Sequence, residues 1–328
     1  MNTLFLRLTR AGLVLAFLVV TIGAWVRLTD AGLGCPDWPG CYGQWVVPGS
    51  LGEQADAVAA FPGRPLDVGK AWREMIHRYL ATGLGLLCVT LAGLAWLNRR
   101  DPAQPRTMPF VLLGLVVFQG LLGMWTVTLL LKPVIVMAHL LGGLTTLGLL
   151  FWLGAWREGP RPSGPAVPWL RPLALAAALV LGLQISLGGW TSANYAALAC
   201  PDFPTCQTRW WPPIADFREG FVLWRGLGVD YEGGVLDNPA RVAIHFTHRL
   251  GAILTTLVLG LLGWLMARRA ELRLDGLAVL ATLALQLALG ASIVLYGVPL
   301  AVAVAHNGVG ALLLLTVLNA NQRAQRSH

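Results

Sequence analysis

The sequence predicts an all-α integral membrane protein with eight transmembrane helices, arranged as two parallel-repeated four-helix bundles. Three observations lead to this prediction. Of 328 residues, 56% are hydrophobic and only 12% are charged, whereas a soluble domain has roughly 25% charged residues. Eight apolar segments are long enough to cross a membrane, and a set of short motifs occurs twice in the same order.

The eight segments follow from length and apolar composition. A hydrocarbon core of about 30 Å requires roughly 20 helical residues. The first segment is the shortest, with 16 residues between Arg10 and Arg27, and it resembles a signal peptide after Arg7. We expect a retained helix, because no small-residue cleavage site follows it and the repeat includes it. The predicted spans are residues 10–28, 74–97, 108–131, 133–155, 172–193, 241–266, 276–296 and 299–320.

Basic residues are concentrated on one side of the predicted membrane. The two termini and the segments 99–106, 157–171 and 268–275 contain thirteen basic and four acidic residues, against eleven and twelve on the other side. The positive-inside rule therefore predicts cytoplasmic termini in the cell membrane, with loops 29–72 and 194–240 facing outward. Topology accounts for the net charge of +8, so we expect a lipid bilayer and no nucleic acid as partner.

The repeat defines two halves. Residues 34–41 (GCPDWPGC) return as residues 199–206 (ACPDFPTC), at a spacing of 165. His77 returns as His248 at a spacing of 171, and His139 returns as His306 at 167. We expect an N-terminal half of residues 1–157, a cytoplasmic connector of residues 158–171 and a C-terminal half of residues 172–328. Each half has an even number of helices, so the repeat is parallel.

Two histidines in each half are expected at the same membrane depth. His139 lies six residues after Pro133, about 10 Å along its helix at 1.5 Å per residue, and His77 enters its own helix to a similar depth. Ionisable residues in the membrane are costly and usually functional, although a histidine can also be a polar contact between helices. Paired histidines on facing helices favour a bis-histidine haem site. The predicted iron ligands are His77 with His139, and His248 with His306.

Two kinds of charged side chain accompany these histidines. Arg78 and Arg249 directly follow a ligand candidate, and they could bind haem propionates or extend toward the outer headgroups. Glu74 shares a helical face with His77, and His245 occupies the matched place in the other half. Catalysis in the first half and electron transfer in the second would explain this difference. Glu74 could instead form an ion pair with Arg78 or Arg73, and the role of His245 stays open.

The remaining features are the cysteines and three glutamines. Cys35 with Cys41, and Cys200 with Cys206, could form structural disulfides in outward loops or redox-active dithiols. Cys88 is expected in the core. The glutamines precede a glycine by four residues, a spacing that we interpret as helix packing. They are Gln119, Gln184 and Gln286.

Taken together, the chain resembles the haem A synthase family over both halves and all eight helices. The matching residues are Gly34-Cys35-Pro36-Asp37-Trp38-Pro39 with Cys41, Glu74-x-x-His77-Arg78, His139, His248-Arg249 and His306. His245 is not part of this resemblance.

The resemblance implies a pseudo-twofold bundle of eight helices that oxidises a ring methyl group of haem O to the formyl group of haem A, with water as the oxygen source. It places the substrate haem O between His77 and His139, a permanent haem b between His248 and His306, and catalysis at Glu74. It also implies a link to the haem O synthase (protohaem farnesyltransferase) and to cytochrome oxidase assembly, with a homo-oligomer as an option.

Two other classes share some of these features. A dihaem b-type electron carrier linked to quinol would use the four histidines, but it gives no reason for Glu74 or the cysteine loops. A transporter with parallel repeats would have broken helices at the bilayer midplane, whereas the polar residues here lie near the outer ends of the predicted helices.

Overall fold

The computed structural model describes residues 3–155 and 170–326, and the described residues form helices and no β-strand. Most of the predicted connector, residues 158–169, lies outside the described residues. Eight helices are long and apolar enough to cross a membrane, which confirms the predicted number. They are α1 (Thr3–Leu28), α3 (Val68–Leu97), α4 (Met108–Thr128), α5 (Pro133–Gly154), α6 (Leu170–Ala193), α8 (Asn238–Ala267), α9 (Arg273–Leu295) and α10 (Leu300–Arg326).

Several helix ends differ from the predicted ones because hydrophobicity marks the lipid-facing part of a helix and not its hydrogen-bonded length. α3 begins six residues earlier than predicted, at Val68, because the Asp67 side chain accepts a hydrogen bond from the backbone N–H of Lys70 at 2.9 Å. α4 ends earlier than predicted, at Thr128, because Leu130 and Leu131 adopt positive φ angles of 51° and 60° in the turn to α5.

The loops contain short helices that the hydrophobicity pattern does not show. These are α2 (Leu51–Ala60), α7 (Phe217–Gly220) and a 3-10 helix at Ala270–Leu272. α2 begins with a capping box, in which Ser50 and Glu53 satisfy each other's backbone N–H groups. The Ser-x-x-Glu spacing was therefore a local signal for this helix.

The chain forms two compact units, and each contains a ring of four long helices. In unit 1, α1 packs on α3 and α5, and α4 completes the ring by packing on the same two helices. In unit 2, α6 packs on α8 and α10, and α9 packs on both of these. Each ring can therefore enclose side chains from alternate helices along its axis.

An apolar core occupies one end of each ring and leaves the other end for polar residues. In unit 2 the core consists of the first turns of α6 and α9 and the last turns of α8 and α10, with Leu170, Leu262 and Val317 fully buried. In unit 1, Phe5, Leu112 and Leu150 are fully buried at the corresponding end. The candidate histidines lie toward the opposite end, beside the cysteine-containing loops.

Unit 1 also includes residues 223–235, here called the crossing segment, which follow α7 in the chain. Lys132, only 2% exposed, donates to the carbonyl of Gly226 at 3.1 Å and lies 3.7 Å from the ring centre of Trp224. The backbone N–H of Tyr231 donates to the carbonyl of Leu130 at 3.0 Å.

Two ion pairs hold the other side of the crossing segment. Arg64 contacts Asp230 at 3.1 Å, and Lys70 contacts Glu232 at 3.4 Å. The crossing segment therefore extends from the start of α3, which carries His77, to the α4–α5 turn, after which α5 carries His139.

Lys132→Met should loosen the crossing segment. The substitution removes the buried ammonium, and with it a charge-assisted hydrogen bond worth about 1.5–3 kcal/mol and a desolvated cation–π contact worth about 2 kcal/mol. Hydrogen exchange of the Tyr231 amide should become at least about tenfold faster, since 1.4 kcal/mol corresponds to a factor of ten. Lys70→Met is the matched control and should have a smaller effect, because exposed ion pairs contribute at most about 1 kcal/mol. Equal effects of the two variants would contradict the assignment.

Candidate functional site

The two cysteine-containing loops have the same local construction. Cys35 is bonded to Cys41, and Cys200 is bonded to Cys206, with Cα separations of 4.8 and 4.6 Å. All four cysteines are buried. Each loop closes on its own backbone, through paired hydrogen bonds between Cys41 and Gln44 in the first loop and between Cys206 and Arg209 in the second.

An aspartate inside each loop fixes the turn before this closure. Asp37 accepts hydrogen bonds from the backbone N–H groups of Tyr42 at 2.6 Å and Gly43 at 2.8 Å. Asp202 accepts the equivalent bonds from Gln207 at 2.7 Å and Thr208 at 3.0 Å. The repeated motif contained both aspartates, but the sequence analysis did not give them a role.

Hydrogen bonding also affects the ionisation of Asp202. Burial raises the pKa of this carboxyl, but hydrogen bonds from the Thr205 hydroxyl and from the Thr208 and Gln207 backbone outweigh this effect and lower the pKa below its ordinary value. A lowered pKa stabilises the folded loop above the ordinary pKa of the carboxyl, and this contribution is lost as the pH falls through the lowered value.

Arg78 and Arg249 each hold one of these loops. Arg78 donates from Nη1 to the backbone carbonyls of Asp37 at 3.0 Å, Pro39 at 3.2 Å and Gly40 at 2.5 Å. The guanidinium also forms an ion pair with Glu74 through Nη2. The described contacts of Arg78 are thus with the loop and with Glu74, and a contact with a haem propionate stays a prediction.

Arg249 makes the same kind of contacts in unit 2. Its Nη1 donates to the carbonyls of Asp202 at 2.8 Å and Thr205 at 2.6 Å, and its Nη2 donates to the carbonyl of Cys200 at 2.8 Å. A guanidinium has five donors in a planar fork, which suits it to hold several loop carbonyls at once.

Glu74 and His245 occupy equivalent places between the loop and the arginine. Glu74 is 4% exposed, and its Oε2 accepts the backbone N–H of Cys35 at 2.9 Å while Oε1 faces Arg78. His245 is 5% exposed, with Nδ1 at 3.3 Å from the backbone N of Cys200 and Nε2 at 3.2 Å from Nε of Arg249.

These contacts bear on two alternatives left open by the sequence. The ion pair of Glu74 with Arg78 is present, whereas Arg73 donates from Nε to the Gly69 carbonyl of its own helix at 3.0 Å. Both ring nitrogens of His245 have a neighbour other than a haem iron, which favours polar packing over an auxiliary ligand.

The four remaining membrane histidines lie in two pairs, each pair within one ring of helices. The ring centres of His77 on α3 and His139 on α5 are 6.4 Å apart, with the ring planes at 84°. His248 on α8 and His306 on α10 are near enough to interact electrostatically. The structure therefore brings together the residues that the sequence pairs.

A glycine on a neighbouring helix gives each imidazole its space. A Cβ added at Gly23 would lie 2.9 Å from Cε1 of His77, and one at Gly188 would lie 3.1 Å from Cε1 of His248. Gly123 and Gly290 are placed in the same way against His139 and His306, at 3.6 and 3.2 Å. Cβ contacts below about 3.4 Å are tight, so three of these positions leave little room for any other residue.

This donor set fits a haem. Two bonds of roughly 2 Å from a metal to imidazole nitrogens together with the inner halves of the two rings account for the 6.4 Å between His77 and His139. The Nδ1 atoms of His77, His139 and His306 are buried without a hydrogen-bond partner. In the part of the chain that the structure describes, no three histidine, cysteine or acidic side chains form a metal cluster. Two histidines suit an iron whose other ligands come from a porphyrin.

Cys88 lies apart from both sites. It is a free cysteine, fully buried in α3, in agreement with its predicted place in the core.

Arg78→Lys should release the first loop while keeping the positive charge, because an ammonium cannot reproduce the planar fork. Loss of one charge-assisted hydrogen bond costs about 1.5–3 kcal/mol. Hydrogen exchange at the amides of Cys41 and Gln44 should therefore become about tenfold faster or more. Arg73→Lys provides the control, since Arg73 contacts its own helix. Unchanged exchange in Arg78→Lys would show that the loop does not depend on the guanidinium.

Several known proteins have sequences similar to this chain. Residues 7–318 match the model of a family described as "Cytochrome oxidase assembly protein". A Shewanella oneidensis protein named "Heme A synthase" is 46% identical over 318 residues, covering 96% of this chain and 94% of the relative. Proteins of the same name from Rhizorhabdus wittichii and Sphingopyxis alaskensis are 30% and 31% identical, covering 93% and 95% of this chain and 89% of each relative. The chain therefore belongs to the cytochrome oxidase assembly protein family that includes these haem A synthases.

Proposed function

We propose that this protein is a membrane oxidoreductase that converts haem O to haem A for cytochrome oxidase assembly, by oxidising a porphyrin ring methyl group to a formyl group. The family and its relatives named "Heme A synthase" support this reaction. The observation that carries the proposal is an asymmetry between two similar histidine sites. A buried carboxylate, Glu74, accompanies the first site, and a neutral side chain, His245, takes the same place beside the second.

The two sites receive different haems in this proposal. His77 and His139 hold the substrate haem O in unit 1, and His248 and His306 hold a haem b in unit 2. Oxidation of a methyl to a formyl group with water releases four electrons and four protons, and haem b, when bound, would relay the electrons one at a time to an acceptor outside this chain. The glycines that face each imidazole restrict the position of the rings, and Glu74 lies one helical turn from His77, so Glu74 would stay close to a haem that His77 binds.

Glu74 has the contacts of an ionised base. Both of its oxygens face donors, the Cys35 N–H and the Arg78 guanidinium, and an ionised carboxylate is an acceptor only. Removal of hydrogen from the methyl group releases protons, which this carboxylate can accept. Arg78 balances the charge and holds the carboxylate in orientation. The oxygen of the formyl group is proposed to come from water.

The competing classes have less support. A dihaem electron carrier would use the same histidines, but it gives no chemical role to Glu74, and the named relatives favour the synthase. A transporter of the kind considered above needs broken helices, whereas each of the eight long helices in the described residues is continuous.

The membrane arrangement is also part of the proposal. We infer that the protein lies in the cell membrane as two parallel-repeated bundles, with cytoplasmic termini and the cysteine loops outside, and that a haem O synthase supplies the substrate. The charge distribution supports this orientation. A reporter fused to the C-terminus that is active only outside the cytoplasm should be inactive, and its activity would contradict the orientation.

Co-expression of the full chain with a haem O synthase should yield haem A, measured by chromatography of the extracted haems. His77→Ala and His139→Ala should abolish haem A while the protein retains its haem b. His248→Ala should lose the retained haem. A folded wild-type protein that contains haem b and accumulates only haem O would contradict the proposed reaction.

Glu74→Gln tests the carboxylate in the same experiment. The amide keeps the size of the side chain but cannot accept a proton, and loss of acid–base catalysis typically slows a reaction by about 10²–10⁴-fold. Haem O should stay bound while haem A formation falls by at least about a hundredfold. Conversion at the wild-type rate would remove Glu74 from the reaction.

A further inference from the structure

The two histidine sites differ in a second respect, which is the neighbour of the imidazole on the first helix of each bundle. In unit 2, Nε2 of Gln184 on α6 lies 3.1 Å from Nδ1 of His248 and 3.1 Å from its backbone oxygen. In unit 1, Nδ1 of His77 has no side-chain partner, and the ring interacts with the backbone of Val19. A side-chain amide thus accompanies one histidine and not the other.

The matched position shows that this difference is built into the chain. Gly23 and Gly188 pack against His77 and His248 in the same way. Val19 lies four residues before Gly23, and Gln184 lies four residues before Gly188. Valine has no hydrogen-bonding group in its side chain. The spacing of Gln184 and Gly188 in the sequence indicated packing, but the contact of Gln184 with the imidazole is specific.

A second substitution makes room for the amide. A Cβ at Gly251, on the helix that carries His248, would lie 2.2 Å from Oε1 of Gln184 and 2.9 Å from a methyl group of Leu187. Such distances exclude any larger residue unless the amide moves. The corresponding residue three positions after His77 is Leu80. Unit 2 therefore has polar Gln184 and small Gly251 where unit 1 has apolar Val19 and large Leu80.

The other glutamines do not reproduce this arrangement. Gln286 lies 3.2 Å from Nε2 of His306, and Nδ1 of that ring has no partner. Gln119, its counterpart in unit 1, packs against Gly142, and its Nε2 has no hydrogen-bond partner. Within the described residues, His248 is thus the member of these pairs whose Nδ1 contacts a side-chain amide.

We propose that Gln184 is a positioning residue that fixes His248 as an iron ligand and makes unit 2 the site that retains its haem. This inference rests on the proposed function, in which His248 binds haem b. A histidine that binds a metal through one ring nitrogen usually donates the other N–H to an acceptor, which fixes the ring and raises its basicity. The amide oxygen of Gln184, which has no other partner, serves as that acceptor when the amide turns it toward Nδ1, because the two ends of an amide are interchangeable in shape. The turn gives up the hydrogen bond from Nε2 to the His248 carbonyl.

The lack of an amide beside His77 fits the turnover proposed for unit 1. A site that binds haem O and releases haem A must exchange its ligand in every cycle. His77 has the backbone of Val19 as its neighbour on α1 and no side-chain amide, so we expect a less strongly fixed imidazole and an iron bond in unit 1 that breaks more easily. Retention of haem b in unit 2 and turnover of haem O in unit 1 are therefore separated by the exchange of Val19 and Leu80 for Gln184 and Gly251.

The test compares Gln184→Val, Gln184→Glu and the wild type as purified full-length proteins containing haem b. Transfer of ferric haem to excess apomyoglobin gives the dissociation rate, and a redox titration gives the midpoint potential. Loss of such a hydrogen bond weakens metal binding by about 10–100-fold. Gln184→Val should release haem about 10–100-fold faster and raise the midpoint potential, because a less basic imidazole stabilises ferric iron less. Gln184→Glu, which restores an acceptor, should retain haem and lower the potential.

Gln119→Val is the control for this test. It removes the matched type of side chain from unit 1 and should leave the dissociation rate and the potential of the retained haem unchanged. Wild-type rate and potential in Gln184→Val would overturn the inference, and so would equally fast loss in Gln184→Glu, which would indicate packing alone. A wild-type protein without haem b, or unchanged haem in His248→Ala, would refute the proposed function instead.

Discussion

The partial burial of two arginines at the loop ends of the apolar bundles constrains the rest of each site. A guanidinium cannot lose its charge at any physiological pH, and an unpaired charge in lipid costs several kcal/mol. Arg78 and Arg249 meet this requirement with backbone carbonyls of the cysteine loops. Each loop must therefore keep a shape in which several carbonyls point toward one helix, and the disulfides and the aspartates inside the loops maintain that shape. Because each arginine follows a histidine, the same contact fixes the loop beside the proposed haem ligand.

The two sites share this contact between an arginine and a cysteine loop, and they differ in a few residues. Glu74 and His245 both connect the first cysteine of a loop to its arginine, so the arrangement accepts either side chain. A carboxylate can accept a proton from a substrate while its charge is balanced by arginine, whereas a neutral imidazole that already contacts two groups cannot supply the same base. In the inference drawn above, the exchange of Val19 and Leu80 for Gln184 and Gly251 acts on haem retention. In the proposed function, oxidation in unit 1 and haem retention in unit 2 thus depend on substitutions around a common set of loop and helix contacts.

The sequence predicted the features that depend on composition and spacing. Eight helices follow from apolar length, and the pairing of His77 with His139 follows from their equal distance from the helix ends. The start of α3 was wrong because a capping aspartate, not hydrophobicity, decides where a helix begins. The contacts of Arg78 with the loop carbonyls could not be predicted, since any backbone oxygen can accept. The packing of the crossing segment on Lys132 depends on residues that are far apart in the chain, and no local pattern marks it.

The central claim is that Glu74 contributes a carboxylate to the reaction in addition to its structural bridge. Glu74→His tests this most directly, because the chain itself uses histidine for the bridge in unit 2. Haems should be extracted from the folded variant, co-expressed with a haem O synthase, and separated by chromatography. We expect the Glu74→His variant to contain bound haem O and retained haem b, and no haem A. Haem A formation at the wild-type level would show that the bridge alone is sufficient and would contradict the account.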